Sequence, residues 1–212
     1  MNLLGSDLAE QDILDMACGE GFYTRKLRTL TSGKVIGVDI SQNMINLAKN
    51  QEDREGATIM YLCNDCCKQE FSNQFESSFD VVTATFLLNY ATQTEMIDDF
   101  IKAAYKLVKP GGRFIGINTS PFVQDQKTFD KTKKYKISYD TDRDPVEEGD
   151  PLHILISMED GDAKFDNYFW KPSTYEDSFK KNGFTEFEWV PMIASQNQSQ
   201  DEWKDWVQNC PL

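Results

Sequence analysis

The residues best able to do chemistry sit in Asp15-Met16-Ala17-Cys18-Gly19-Glu20-Gly21 and in a second carboxylate, Asp39, twenty residues after Gly19. Two glycines one residue apart let the chain turn tightly and let a ligand approach the backbone. A helix opening just beyond such a turn offers free N–H groups and a partial positive charge, suited to a carboxylate or a phosphate. A carboxylate ending the next strand can accept both hydroxyls of a ribose. These features fit a dinucleotide or another adenosine-bearing ligand. The dinucleotide fingerprint asks for a third glycine, which allows close helix–strand packing. Here the run is Gly19-Glu20-Gly21-Phe22-Tyr23-Thr24, so Thr24 stands where that glycine would be, and Glu20 would repel a pyrophosphate. The loop therefore suits a ligand without phosphates, although a bare G-x-G is also what any tight strand-to-helix turn requires.

Other chemically able residues carry less. Cys63-x-x-Cys66 admits a redox or metal reading, but it lacks a second Cys/His pair nearby, so no metal site is expected. The five cysteines are odd in number, and Cys63, Cys66 and Cys67 crowd together. That is unlike a disulfide framework and points to a reducing, cytoplasmic setting. His153 is the only histidine. In Leu152–Met158 it shares a face with Leu155 and Ser157, as a solvated strand histidine or as a general base in a lid. The acids of 140–150 read as a solvated loop.

The elements that must position these residues follow from periodicity. Strands are expected at 12–16, 34–39, 58–63, 79–85 and 113–118. Helices are expected at 22–30, at 42–50 with Ser41 as cap, and at 95–107, stopped by Pro110-Gly111-Gly112. Strands alternating with helices mean βαβ units, a mostly parallel sheet and ligands outside the carboxyl ends of the strands. Beyond Ser120 the character changes. Residues 124–150 read as loop or mobile lid, and 152–158 with 164–170 as a hairpin. Ser173 is the expected cap of a helix to Asn182 that Gly183 ends. Residues 184–190 read as a strand and 201–208 as a helix.

Composition excludes some partners. With 22 Lys+Arg against 35 Asp+Glu the net charge is −13, unsuited to nucleic acid or to an anionic membrane surface. The longest nearly apolar run, Val81 to Leu88, is too short to span a bilayer, and Met1 to Gln11 does not read as a signal peptide.

ILDMACGEGFYT (13–24) closely resembles the first motif of class I S-adenosylmethionine (SAM) methyltransferases. VIGVDIS (35–41), LCNDC (62–66), FDVVTATFLLNYA (79–91) and LVKPGGRF (107–114) match further motifs in order and spacing. The resemblance covers residues 12–118. With the later W-x-x-S-T-Y-E, the chain is similar to small-molecule methyltransferases of the type-11 group, toxoflavin-type N-methyltransferases among them. It implies a Rossmann-like, doubly wound α/β fold in strand order 3-2-1-4-5 plus C-terminal strands. It implies one domain over 1–212: a cofactor core at 12–118, a substrate lid or insertion at 119–170, and C-terminal strand and helices at 171–212. The cofactor would be SAM, with S-adenosylhomocysteine as product. Asp15, Ala17, Gly19 and Gly21 would surround its methionine part and Asp39 would take the ribose hydroxyls. Ile40 and Met44 would pack on the adenine, Asp65 and the Cys66 backbone would meet the adenine edge, and Thr85 and Phe86 would line the methionine side. Asn89 and Tyr90 would face a small-molecule acceptor, over the ends of strands four and five and under an aromatic roof from 120–170.

The reaction so implied is methyl transfer to N or O of a small molecule, which needs alignment more than acid–base help. The catalytic candidates are Asn89, Tyr90 and His153. Alternatives are a non-catalytic SAM-binding protein and, disfavoured by Thr24 and Glu20, a NAD(P)-dependent oxidoreductase. Only residues 1–11 precede the first strand, whereas the resemblance implies covering helices there and a further antiparallel strand at the other end. The expectation is that both ends are trimmed or that other elements take over those roles.

Overall fold

The computed structural model of the chain describes residues 8–56, 58–159 and 161–190. They fall into two compact units. One comprises the residues up to Leu87 together with Asp98–Ile117, and the other Leu88–Ile97 together with the residues from Asn118 on.

The first unit is built on five strands: β1 (Ile13–Met16), β2 (Val35–Asp39), β3 (Met60–Cys63), β4 (Phe79–Thr85) and β5 (Val108–Ile117). They run parallel in the order β3-β2-β1-β4-β5, the order expected from the sequence. Every residue of β1 and all of β2 but Asp39 are buried, which is why these strands read as short, mostly apolar runs, interrupted in β1 by Asp15, rather than alternating ones. The strand order reverses beside β1, so the loop after β1 lies where such sheets bind ligands. Ile13, Val35, Ile45, Ala48, Tyr61 and Val81 belong to one core cluster.

Helices α1 (Phe22–Arg28), α2 (Gln42–Glu55), α3 (Gln69–Gln74) and α4 (Thr94–Leu107) follow in chain order, and α4 enters this unit at Asp98. Ser41 caps α2 as expected, its hydroxyl accepting from the Met44 N–H at 3.3 Å. The helix runs past Asn50 to Glu55, and Gly56 at φ 65° closes it. The sequence reading missed α3, whose six residues are too few for periodicity to register. It also misread Pro110-Gly111-Gly112. Helix α4 ends at Leu107, ahead of the proline, and β5 begins at Val108, opposite Phe79. The register then breaks and resumes at Val81 opposite Arg113, so the proline–glycine run is an irregularity in the strand. Gly112 is needed there, since a Cβ would lie 2.7 Å from the Asp80 carbonyl oxygen.

The second unit holds a 3₁₀ turn (Leu88–Tyr90), the start of α4, a short helix α5 (Gln126–Phe129) and a 3₁₀ turn (Asp130–Tyr135). It continues with β6 (Ile137–Thr141), β7 (Pro151–Ile156), β8 (Ala163–Tyr168) and α6 (Pro172–Lys181). Its strands form their own antiparallel sheet in the order β6-β7-β8. The β7–β8 hairpin is as read. Residues 124–150 are not all loop, because Ile137-Ser138-Tyr139-Asp140 alternates and pairs with β7, a short signal hidden in a lysine-rich stretch. Val123, Phe129, Tyr139, Leu152, Ile154 and Phe169 belong to the core cluster of this unit.

Helix α6 starts differently from expectation. Lys171 is its N-cap and Pro172 its first residue, the position where a missing N–H costs least. Gly183, at φ 106°, ends it as expected, with the Phe184 N–H donating to the Phe179 carbonyl at 3.1 Å. Residues 184–190 do not form a strand. Their aromatics pack locally, Phe184 and Phe187 on Phe179 and Trp189 on Tyr175. The helix expected at 201–208 lies outside the described residues. Among the described residues no helix is long and apolar enough to cross a membrane.

Candidate functional site

The carboxyl ends of β1 to β4 lie side by side. Met16 is level with Val38 and Ala84, and Asp39 with Cys63. The loop after β1 is tied to β2 by the Cys18 N–H donating to the Val38 carbonyl at 3.0 Å, and it closes on itself through Gly21 N–H to Cys18 carbonyl, also 3.0 Å. Ala17, Gly19 and Gly21 all have positive φ, at 52°, 57° and 81°. The two glycines differ in what surrounds them. A Cβ on Gly19 would meet nothing within 4 Å, so its backbone is open to a ligand. A Cβ on Gly21 would lie 2.8 Å from Cζ of Tyr61 and closer still to its hydroxyl. Tyr61 is buried and also covers Gly37. Burial pushes its phenol up to about 12, against the opposing pull of Arg25.

Asp39 ends β2 with both oxygens held by the backbone. Gly19 N–H donates to Oδ2 at 2.9 Å and Ser41 N–H to Oδ1 at 2.8 Å. Each carboxylate oxygen keeps a further lone pair for a hydroxyl. The next two predicted contacts are exposed: Ile40 at 76% and Met44 at 42%. They are not core, and exposed apolar side chains beside a carboxylate suit a flat ring. The turn after β3 reaches the same edge through Asn64 N–H to Asp39 carbonyl, 3.0 Å. Asp65 accepts there from the Cys67 N–H at 2.9 Å. Cys66 is buried, and burial pushes its thiol well above the ordinary range. Cys67 is pushed up to about 12 by burial and by Asp65. Both sulfurs are thus held as neutral thiols, and Cys63 directs its own at the Ile40 carbonyl, 3.6 Å away. Among the described residues no three Cys, His, Asp or Glu side chains are grouped to hold a metal ion. Thr85 and Phe86 end β4 half-buried; Phe86 sits at φ 61°, and its N–H donates to the Ile117 carbonyl at 2.7 Å.

Asp15 lies deeper than the sequence reading placed it. It is 2% exposed, with Oδ2 accepting from the Thr24 hydroxyl at 2.6 Å and Oδ1 from the Thr83 hydroxyl at 2.8 Å. Burial pushes its carboxyl up to about 6, with Asp39 adding to the rise and the two hydroxyls opposing it. The sequence reading noticed Thr24 only as a missing glycine and did not single out Thr83. The signal for Thr83 was a hydroxyl flanked by Val82 and Ala84 in the buried middle of β4, level with Asp15 across the β1–β4 pairing. An open hollow of about 400 Å³ borders the loop at Glu20 and is otherwise lined by Arg25, Leu47, Asn50, Gln51 and Arg54. It includes none of the three acids Asp15, Asp39 and Asp65.

The other candidates are in the second unit. Asn89 is buried, and its side-chain oxygen accepts from the Thr119 N–H at 3.3 Å. Tyr90 is 45% exposed and stacks on Phe165, ring centroids 6.2 Å apart. Trp170 fixes the adjoining chain by donating to the Ala91 carbonyl at 2.8 Å. His153 is not brought to this place. Phe165 is level with Ile154, and His153, the next residue along β7, points to the opposite face. There its Nδ1 lies 2.8 Å from Asp166 and its Nε2 3.6 Å from Asp142. The Asp166 hydrogen bond, with both carboxylate charges, raises its pKa.

Residues 13–112 match the family model for a methyltransferase domain. They form a domain similar to methyltransferase domains, with the fold of class I SAM-dependent methyltransferases. A demethylmenaquinone methyltransferase from Lactococcus lactis is 36% identical over 117 residues, covering 54% of this chain and 44% of that protein. The chain thus spans less than half the length of that relative. An N-demethylindolmycin N-methyltransferase from Streptomyces griseus is 24% identical over 179 residues, covering 82% of this chain and 69% of the relative. Among solved structures, a SAM-dependent methyltransferase from Clostridium acetobutylicum has the same fold, with a TM-score of 0.57 at 20% identity over 85% of this chain and 76% of the other. The matched residues include the whole set from Asp15 to Phe86 and also Asn89 and Tyr90, the last two of which belong to the second compact unit.

Proposed function

We propose that the protein transfers a methyl group from SAM to a nitrogen or oxygen of a small molecule. The observation that carries this is the pairing of an open Gly19 backbone with Asp39, whose oxygens are already oriented by Gly19 and Ser41. SAM, when bound, supplies a methyl group already activated by its sulfonium. The chain's residues bind and orient. Asp39 accepts from the ribose hydroxyls, Ile40 and Met44 cover the adenine, and Asp65 with the Cys66 backbone reads the adenine edge. Ala17, Gly19 and Gly21 lend backbone groups to the amino-acid end, and Thr85 and Phe86 flank it. Thr24 is fully buried and bonded to Asp15, so it fills the space a dinucleotide fingerprint leaves open, which weighs against NAD(P).

On the acceptor side we assign Asn89 and Tyr90. The Tyr90–Phe165 stack offers a flat apolar surface, and the net charge of −13 favours a neutral or cationic acceptor over an anionic one. The two relatives described above are named for small acceptors, demethylmenaquinone and N-demethylindolmycin. His153 is left out of the reaction, since it faces away from Tyr90's partner. The free cysteines Cys18, Cys63, Cys66 and Cys67 support a reducing, cytoplasmic setting. Calorimetric titration with SAM, S-adenosylhomocysteine and NAD tests the cofactor, and release of labelled methyl into candidate acceptors tests turnover. Binding of NAD and not SAM would overturn the reading. SAM binding without turnover on any acceptor would leave a binding protein. Tyr90→Ala should raise acceptor KM while leaving SAM affinity unchanged; the reverse would remove Tyr90 from the acceptor side.

A further inference from the structure

Asp15 is buried without a cation among the described groups that face it. Those groups are Tyr23 and Thr24 from α1, Cys18 from the loop, Asp39 from the end of β2 and Thr83 from β4. A buried carboxylate of this kind is costly and tends to take up a proton. Two features work against that. Thr24 and Thr83 each donate a hydroxyl to a different carboxylate oxygen, at 2.6 Å and 2.8 Å, so both oxygens are served as an anion's would be. Both hydroxyls are themselves buried. The packing therefore spends two buried donors on keeping charge at a place where nothing described in the chain neutralises it.

We propose that Thr24 and Thr83 are positioning residues that hold Asp15 as an anion beneath the Ala17–Gly21 loop, so that the site favours a sulfonium over the neutral thioether left after transfer. This rests on the SAM reading above. The two ligands differ by one methyl group and one positive charge, so packing alone separates them poorly, whereas a charge in a low-dielectric setting separates them well. The arrangement favours loading with SAM and release of S-adenosylhomocysteine. Burial and Asp39 hold the Asp15 carboxyl near 6, so the preference is present at neutral pH and fades on acidification. Removing either hydroxyl would move the fading towards neutrality.

The test is the ratio of SAM to S-adenosylhomocysteine affinity, measured by calorimetry from pH 5 to pH 8. The ratio cancels the amine, carboxylate and adenosine that the ligands share, and it cancels titrations elsewhere in the chain that act on both alike. For the unaltered protein it should fall about ten-fold between pH 8 and pH 5, the change that a one-unit movement of a linked pKa produces. Thr83→Val should move the midpoint upward, Thr83→Ser should restore it, and Asp15→Asn should flatten the profile. Asp15→Asn decides the matter if the valine variant does not fold. A flat ratio in the unaltered protein, or the same slope in Asp15→Asn, would overturn the proposal while both ligands still bind. If neither ligand binds at any pH, the SAM reading fails and this proposal with it.

Discussion

Gly19 and Gly21 separate what the loop needs for folding from what it needs for binding. Both have positive φ, so alanine at either should cost about 1–2 kcal/mol for the left-handed backbone. Ala17, at φ 52° two residues before Gly19, shows that the loop already carries one such alanine. At Gly21 a second cost is added, because the new Cβ would lie 2.8 Å from Cζ of Tyr61. The ring cannot swing clear, being 3% exposed and packed on Gly37 as well. Overpacking of that kind costs about 1–3 kcal/mol more. Gly21→Ala should therefore lose about 2–5 kcal/mol, a large share of a typical 5–15 kcal/mol. Gly19→Ala should lose only the backbone part yet place a methyl group in the open space over the loop, and so weaken SAM. Urea midpoints at constant m-value measure the first quantity, and calorimetric titration the second. Equal destabilisation by the two variants would refute the role given to Tyr61. Unimpaired SAM binding by a folded Gly19→Ala would refute the open backbone as the ligand's seat.

Asp39→Ala should weaken SAM by about 1.5–3 kcal/mol, the range for hydrogen bonds to a charged group, and should also lower the thermal midpoint, because the Gly19 and Ser41 N–H groups lose their acceptor. Unchanged SAM affinity would remove Asp39 from the site. Asp166→Asn should lower the pKa of His153, followed by NMR, since the Asp166 hydrogen bond is the main cause of its rise; the stability that this pair contributes is present below the ordinary histidine range and is lost as pH rises through the folded value. An unmoved titration would show the pair to be unformed in solution. Asp15→Asn should stabilise the fold at pH 8 and not at pH 4, by up to about 3 kcal/mol, because a carboxyl raised from 3.8 to about 6 makes folding less favourable as pH rises through that interval, at 1.36 kcal/mol per unit. Equal stability of the two proteins at pH 8 in urea titrations would refute the burial cost.

The fold was legible where a single physical signal dominated. β1, β2 and β4 are short apolar runs with a helix after each, and that pattern specifies a parallel sheet and its reversal point without tertiary information. Asp39 could be placed beside the glycine loop because it closes β2 at the right distance from the glycines, and the Gly19 N–H donates to it. Where signals competed, reading failed. Pro110-Gly111-Gly112 ends helices in general, but α4 had already ended, and the glycines instead let β5 step past Asp80. Phe184 to Val190 alternates like a strand, yet its aromatics find partners on α6 and make no ladder. β6 alternates too, inside a stretch whose lysines suggested solvent. In each case the deciding fact was what lay opposite in space, which local pattern does not carry.

Thr24 is the instructive case. Read along the chain, it is the residue that spoils a dinucleotide fingerprint, and its chemistry is negative: no close helix–strand approach and no pyrophosphate. Read across the sheet, the same hydroxyl donates to Asp15 from one side while Thr83 donates from the other. On the proposal above, the residue that weighs against one cofactor also keeps charged a carboxylate that a cationic cofactor would use. No spacing rule along the chain connects residues 15, 24 and 83. Only the pairing of β1 with β4 sets Thr83 level with Asp15, and only the start of α1 brings Thr24 over it. Strand order had to be known before the network could be seen. The stability lost at neutral pH by burying Asp15 is what makes the network informative: two hydroxyls and a strand position that serve packing alone would be better filled by apolar side chains. On the proposal above, the use of the charge, rather than the packing, accounts for Thr24 and Thr83.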